Sequence, residues 1–241
     1  MQTTSSSRAW YRLWWLAGSL AGCSGGAADR PDTTAPKDSG VAAVTAPAQR
    51  ATVLLVGTSL TAGYGLDPSQ SWPTLLQGRV DSLGLPFQVV NAGVSGETSA
   101  GALRRTDWLF GQGPIRVLVV ETGANDGLRG QPVDSLRANL DLILTKAAAL
   151  TPKPILVVAA MEAPPNLGRR YAEEFRATFP AAAKAHGAVF LPFLLDGVAG
   201  NEALNQADGI HPNPRGSRRV LENVWKTLGT ILDSLSRSAG R

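Results

Sequence analysis

A sequence of 241 residues that is 44% hydrophobic and 17% charged suits one folded domain with a full core and excludes a disordered chain. Its formal charge of +4 does not imply a nucleic-acid partner, because no zinc-finger spacing or aromatic–basic interleaving accompanies it. A single cysteine, Cys23, and two histidines, His186 and His211, exclude an internal disulfide, a cysteine-held metal and a multi-histidine zinc site, so no cofactor is expected.

Residues 1–22 read as a secretion signal, in which Arg8 and Arg12 precede a short apolar core with Trp14, Trp15, Leu16 and Leu20. No apolar run reaches the roughly 18 residues that a membrane-spanning helix needs. The segment closes on Leu20-Ala21-Gly22-Cys23, which resembles the lipobox of bacterial lipoproteins. That resemblance implies a diacylglyceryl group on the Cys23 thiol. Two acyl chains hold a soluble domain stably at a bilayer, where one is marginal. Ser24, not Asp, follows the cysteine. By the same resemblance this implies a place in the bacterial cell envelope, at the outer membrane facing the periplasm in a Gram-negative organism. Residues 23–50 are rich in Ala, Gly, Pro, Ser, Thr and Asp and lack periodicity. They bury too little apolar area to offset their ordering entropy and read as a flexible tether.

From residue 51 to 241, short β-rich runs alternate with longer amphipathic ones. The expected strands are Thr52–Val56, Phe87–Asn91, Arg116–Glu121, Ile155–Ala160 and Ala188–Pro192, whose near-continuous Val, Leu and Ile content suits burial on both faces. Trp72, Leu75, Leu76, Val80 and Leu83 share one helical face, opened by Ser71 and Pro73. Similar stripes run through Leu136–Leu150, Arg169–His186 and Gly216–Leu235. Around the last of these, Arg215, Arg218, Arg219 and Lys226 form a solvated face. The alternation predicts a three-layer α/β/α sandwich around a five-stranded, mostly parallel, doubly wound sheet of flavodoxin-like order, taken as a monomer. In such sheets the ligand site lies beyond the carboxyl ends of the strands.

Four segments follow strands and carry chemistry. Gly57-Thr58-Ser59-Leu60 puts a serine on a tight turn, where it is exposed and able to attack, although a helix cap alone also explains it. It is not a P-loop, and Gly93-Val94-Ser95-Gly96-Glu97 is not a Gly-x-Ser-x-Gly elbow, because Glu97 replaces the last glycine. In Asn91-Ala92-Gly93-Val94-Ser95-Gly96-Glu97-Thr98 the glycines permit a backbone path that leaves an amide facing a cleft. Asn125, within Glu121-Thr122-Gly123-Ala124-Asn125-Asp126-Gly127, offers an NH2 donor to a developing oxyanion, but Asn-Asp-Gly is also a good turn. In Asp208-Gly209-Ile210-His211 a carboxylate three residues before a histidine can orient the ring of a general base. His186 precedes Gly187 at an expected helix end and suits a cap.

Together these segments resemble the SGNH (GDSL-type) hydrolase family, in its bacterial thioesterase, lysophospholipase and arylesterase branch, from about Ala51 to the C-terminal helix. The resemblance implies Ser59 as nucleophile with Asp208 and His211 as its partners. It also implies an oxyanion hole from the Ser59 and Gly93 amides and the Asn125 side chain. The expected substrate is a small or medium acyl ester, thioester or lysophospholipid, cleaved through an acyl-enzyme. The run Asn125–Gly130 resembles the loop bordering the acyl pocket. One departure stands out: the family usually has Asp before the serine, where this chain has Thr58. A carbohydrate O-deacetylase of the same fold and a catalytically impaired ligand-binding lipoprotein are the rival readings, the second favoured by Thr58.

Overall fold

The structure, a computed structural model, describes residues 50–239. The segment expected to be a signal peptide, Cys23 and the expected tether up to residue 49 lie outside the described residues. Arg50, expected as the tether's last residue, is already tied to the domain through Asp81 and the Leu85 carbonyl.

The element order is β1 (Ala51–Gly57), α1 (Ser59–Ala62), α2 (Trp72–Ser82), β2 (Phe87–Gly93), α3 (Ser99–Phe110), β3 (Ile115–Val120), α4 (Ala124–Leu128), α5 (Val133–Ala148), β4 (Ile155–Ala159), α6 (Arg169–His186), β5 (Val189–Leu191) and α7 (Pro214–Ala239). The five strands form one parallel sheet in the order β2-β1-β3-β4-β5, the expected flavodoxin-like arrangement. The connections run one way from β1 to β2 and the other way from β2 through β5, and the right-handed crossover that parallel sheets favour then puts helices on both faces. Accordingly α2 packs against α7, whereas α5 is flanked by α3 and α6.

Burial follows from position in the sheet. Val53–Val56, Val117–Val120 and Leu156–Ala159 on the three inner strands are buried on both faces. The expectation of two-faced burial fails for the edge strands: Val90 on β2 and Val189 and Phe190 on β5 are exposed, because no neighbour covers the outer side. Ser71 caps α2 as expected, its hydroxyl accepting from Thr74 N–H with Pro73 in the first turn. On α5 the stripe Leu136, Leu140, Ile143, Leu144 and Ala147 is fully buried. Helix α3 carries no strong apolar stripe, because its packed face uses Ser99, Gly101, Ala102 and Thr106 along with Leu109 and Phe110.

The register levels the strand ends. Gly57 pairs with Gly93, Val56 with Val120, and Val120 with Val158. The residues that follow β1, β2, β3 and β4 therefore emerge at one rim. The chain reverses its crossover direction between β1 and β3, so the crevice opens there.

Candidate active site

Helix α1 begins immediately after β1, with Thr58 as its N-cap and Ser59 as its first residue. Gly63, in the left-handed region at φ 76°, ends it after one turn, and its N–H donates to the Ser59 carbonyl. Ser59 therefore sits, half-buried, at the corner of a short, hydrogen-bonded turn.

Across the rim, Ser59 Oγ lies 2.9 Å from His211 Nε2. His211 Nδ1 lies 2.7 Å from Asp208 Oδ2. Asp208 Oδ1 accepts from the backbone N–H groups of Ile210 and His211, each at 3.0 Å. The carboxylate requires a proton on Nδ1, which leaves Nε2 to accept the serine proton. The same contacts, His211 foremost, hold the Asp208 carboxyl down at about 2, so it is an anion at neutral pH.

This loop is fixed from several sides. Gln206 N–H donates to the His211 carbonyl at 2.7 Å, and the Gln206 side chain donates to the carbonyls of Tyr64 at 2.7 Å and Pro212 at 3.0 Å. Asn213 caps α7, its side-chain oxygen accepting from Arg215 and Gly216 N–H. The Tyr64 ring lies 4.7 Å from the imidazole, centroid to centroid, and shields one side of it.

The serine and histidine open into a cleft of about 550 Å³. Its walls are largely apolar, from Leu128, Met161, Ala163, Pro164, Phe193 and Leu195, with Ser95, Gly96 and Asn125 beside the serine. Each of the five strands thus delivers residues to the cleft from just beyond its carboxyl end. Asn125, 9% exposed, donates one side-chain N–H to the Glu97 carbonyl at 2.9 Å, which orients its amide and leaves the second N–H free of that bond.

Gly93 does not belong to this cleft. Its N–H donates to Asn91 Oδ1 at 2.9 Å, and it lines a separate groove against α3. Strand β2 runs on through Gly93, so the residue still belongs to the sheet. A Cβ there would lie 2.3 Å from the Ala62 nitrogen, so its glycine serves the close approach of α1 to β2. The glycine that reaches the cleft is Gly96, three residues on. It occupies a turn closed by Glu97 N–H to the Val94 carbonyl, with φ at 78°, and its carbonyl accepts from Arg129.

The structure therefore brings Ser59, His211, Asp208 and Asn125 together, sets Gly96 and not Gly93 on the cleft lining, and leaves Cys23 outside the described residues. His186 ends α6 beside Asp141 at 2.7 Å and is remote from the cleft lining. Leu128, in the run expected to border the acyl pocket, does line the cleft, whereas Tyr64, Gln206 and the walls after β4 and β5 carry no signal of their own in the sequence. Met161 follows β4 and Phe193 follows β5, so only the strand-end rule points to them. Nor does the sequence single out Glu121, which is 1% exposed and pushed up to about 7 by burial, against hydrogen bonds that pull the other way. Among the described residues no cluster of three or more potential metal ligands exists.

Comparison with known proteins identifies the family. Residues 55–219 match the model of the GDSL-like lipase/acylhydrolase family. The chain is 44% identical over 181 residues to esterase TesA of Pseudomonas aeruginosa, covering 75% of this chain and 89% of that one. It is 40% identical over 182 residues to thioesterase 1/protease 1/lysophospholipase L1 of Escherichia coli K12, covering 76% and 85% respectively. The crystal structure of the psychrotrophic esterase EstA from Pseudoalteromonas sp., inhibited by monoethylphosphonate, superposes with a TM-score of 0.72 at 34% identity, covering 76% of this chain and 98% of that one. This chain belongs to the GDSL-like lipase/acylhydrolase family.

Proposed function

We propose that the protein is a serine esterase and thioesterase that transfers acyl groups from small or medium esters, thioesters or lysophospholipids to water. The observation that carries this reading is the unbroken chain of contacts from Asp208 through His211 to Ser59, at 2.7 and 2.9 Å, opening into an apolar cleft. In the first half-reaction Ser59 Oγ attacks the acyl carbonyl carbon while His211 Nε2 takes its proton, and Asp208 stabilises the imidazolium. The oxyanion is met by the Ser59 and Gly96 amides and the second side-chain N–H of Asn125. Collapse expels the alcohol or thiol, which receives the proton from His211. Water then attacks the acyl-enzyme with His211 again as base, and the free acid leaves. No metal takes part in this scheme.

The apolar walls suit an alkyl chain better than an acetylated sugar, whose hydroxyls would lose water without gaining partners. A panel of p-nitrophenyl esters from C4 to C12 and acyl-CoA thioesters, set against acetylated sugars, tests the substrate class. Turnover of the alkyl esters that is abolished by Ser59→Ala supports the reading. Equal turnover by the Ser59→Ala protein, or activity confined to acetylated sugars, contradicts it. On the same reading Cys23 carries the lipid that holds the enzyme in the cell envelope. Loss of membrane association in a Cys23→Ser chain is the expected result.

A further inference from the structure

We propose that Glu121 is a positioning residue for the nucleophile, holding the Thr58–Ser59 turn so that the serine amide and hydroxyl both face the cleft. The proposal rests on Ser59 being the nucleophile.

Glu121 is the first residue past β3, and its own N–H donates to the Val56 carbonyl at 2.8 Å. Its side chain reaches beneath the end of β1. There Oε2 accepts from the Thr58 N–H at 2.8 Å and the Thr61 hydroxyl at 2.8 Å, and Oε1 accepts from the Thr58 hydroxyl at 2.9 Å. No cation is paired with this carboxylate among the described residues. Arg105, the cation that reaches the neighbouring Gly57 carbonyl at 3.4 Å, is engaged with Glu97. Burying an acid without a counter-ion costs more stability than an apolar side chain would. All its side-chain hydrogen bonds go to the turn that carries Ser59, so the cost falls where catalytic geometry is set.

Counting the amide groups shows what is gained. A helix leaves its first N–H groups unpaired. At this turn Thr58 N–H goes to Glu121, Leu60 N–H goes to the Thr58 hydroxyl at 3.4 Å, and Thr61 N–H also faces the Glu121 carboxyl. The Ser59 amide is the one left over for an oxyanion. The fit is tight, because a Cβ on Gly57 would lie 2.2 Å from Thr61 Oγ1 and 2.8 Å from Glu121 Oε2.

Thr58 thereby acquires a function. Its hydroxyl donates to Glu121 and accepts from Leu60 at once, which an ionised aspartate in its place has no proton to do. Thr58 and Glu121 form a matched pair, and the departure from the usual family residue does not mark a failed site.

The test measures kcat and KM for p-nitrophenyl butyrate, with thermal unfolding, for Ser59→Ala, Glu121→Gln, Thr58→Val, Thr58→Ser and the Glu121→Gln/Thr58→Val double variant. Misplaced catalytic groups cost rate more than binding, so Glu121→Gln and Thr58→Val should each lower kcat by at least about tenfold with KM within about twofold. The double variant should lose little more than either single one, because the two act as a unit. Thr58→Ser, which keeps the hydroxyl, should recover most of the rate. If Glu121→Gln does not fold, the contrast between Thr58→Val and Thr58→Ser decides. An unchanged kcat in Thr58→Val, a loss confined to KM, or a Thr58→Ser protein as impaired as Thr58→Val overturns the proposal. In those cases an inactive Ser59→Ala protein leaves the nucleophile assignment standing. Wild-type turnover by Ser59→Ala overturns both.

Discussion

Asp208→Asn changes one atom and, through it, the nitrogen of His211 that carries the proton. Asp208 uses one oxygen for two backbone amides and the other for His211 Nδ1. An asparagine keeps a single acceptor. If that oxygen stays with the backbone amides, its NH2 faces Nδ1, which must become an acceptor. The imidazole proton then moves to Nε2 and points at Ser59, and the base is lost. The flipped amide restores the contact to Nδ1 but sets NH2 against two N–H donors, forfeiting two hydrogen bonds worth about 1 kcal/mol each. The competent arrangement is therefore disfavoured by roughly 2 kcal/mol. Loss of the negative charge beside the imidazolium adds roughly 1–3 kcal/mol for a pair between surface and bulk screening. The Asp208 side chain is 37% exposed, which places it toward the lower end. The sum of roughly 3–5 kcal/mol corresponds to a loss of about 10²–10⁴ in kcat/KM. Steady-state hydrolysis of p-nitrophenyl butyrate, with circular dichroism to check the fold, measures it. A folded Asp208→Asn protein within tenfold of the wild type would mean that Asp208 does not set the His211 tautomer.

Asn125→Ala removes one oxyanion donor and should lower kcat by about 10²–10³ with a small effect on KM; an effect on KM alone would place Asn125 in ground-state binding. Gly93→Ala drives a Cβ to 2.3 Å from the Ala62 backbone nitrogen, and backbone cannot rotate away. It should cost about 1–3 kcal/mol, seen as a lower Tm, before any effect on kcat of the folded fraction. Glu121 holds its proton up to about 7 when folded, against 4.5 as its ordinary value. Its contribution to stability is thus full below pH 4.5 and drains away as pH rises to about 7, by about 3 kcal/mol. Urea midpoints at pH 4.5 and pH 8 should show that decline in the wild type and a smaller one in Glu121→Gln. Asp208 acts in the opposite sense: it is depressed to about 2 from 3.8, so its stabilisation is present above 3.8 and is lost as pH falls toward 2.

The sheet was readable because inner parallel strands must be apolar on both faces, and β1, β3 and β4 are. Composition does not distinguish an inner strand from an edge, so the exposure of Val90 and Phe190 required the strand order. Helix α3 escaped notice because close packing selected Ser99, Gly101 and Ala102 where an apolar stripe would announce a helix. The approach of Ser59, His211 and Asp208 was legible because a histidine and an acid on one loop leave few other partners for a serine at a strand end. Gly93 and Gly96 were not separable in the same way. Both are glycines in one segment, and only the length of β2 decides which is still in the sheet and which turns into the cleft. Glu121 was hidden for a related reason: a lone acid ending an apolar strand gives no sign of what it meets until β1 is placed beside β3.

Acyl transfer by this site requires Ser59 as the attacking group and His211 as its activator. Intact-mass analysis after incubation with a fluorophosphonate, followed by peptide mapping, reads this directly. One adduct on Ser59, none on the Ser59→Ala protein and much slower labelling of a His211→Ala protein are the expected results. An adduct on any other residue, or equally fast labelling without the imidazole, contradicts those roles.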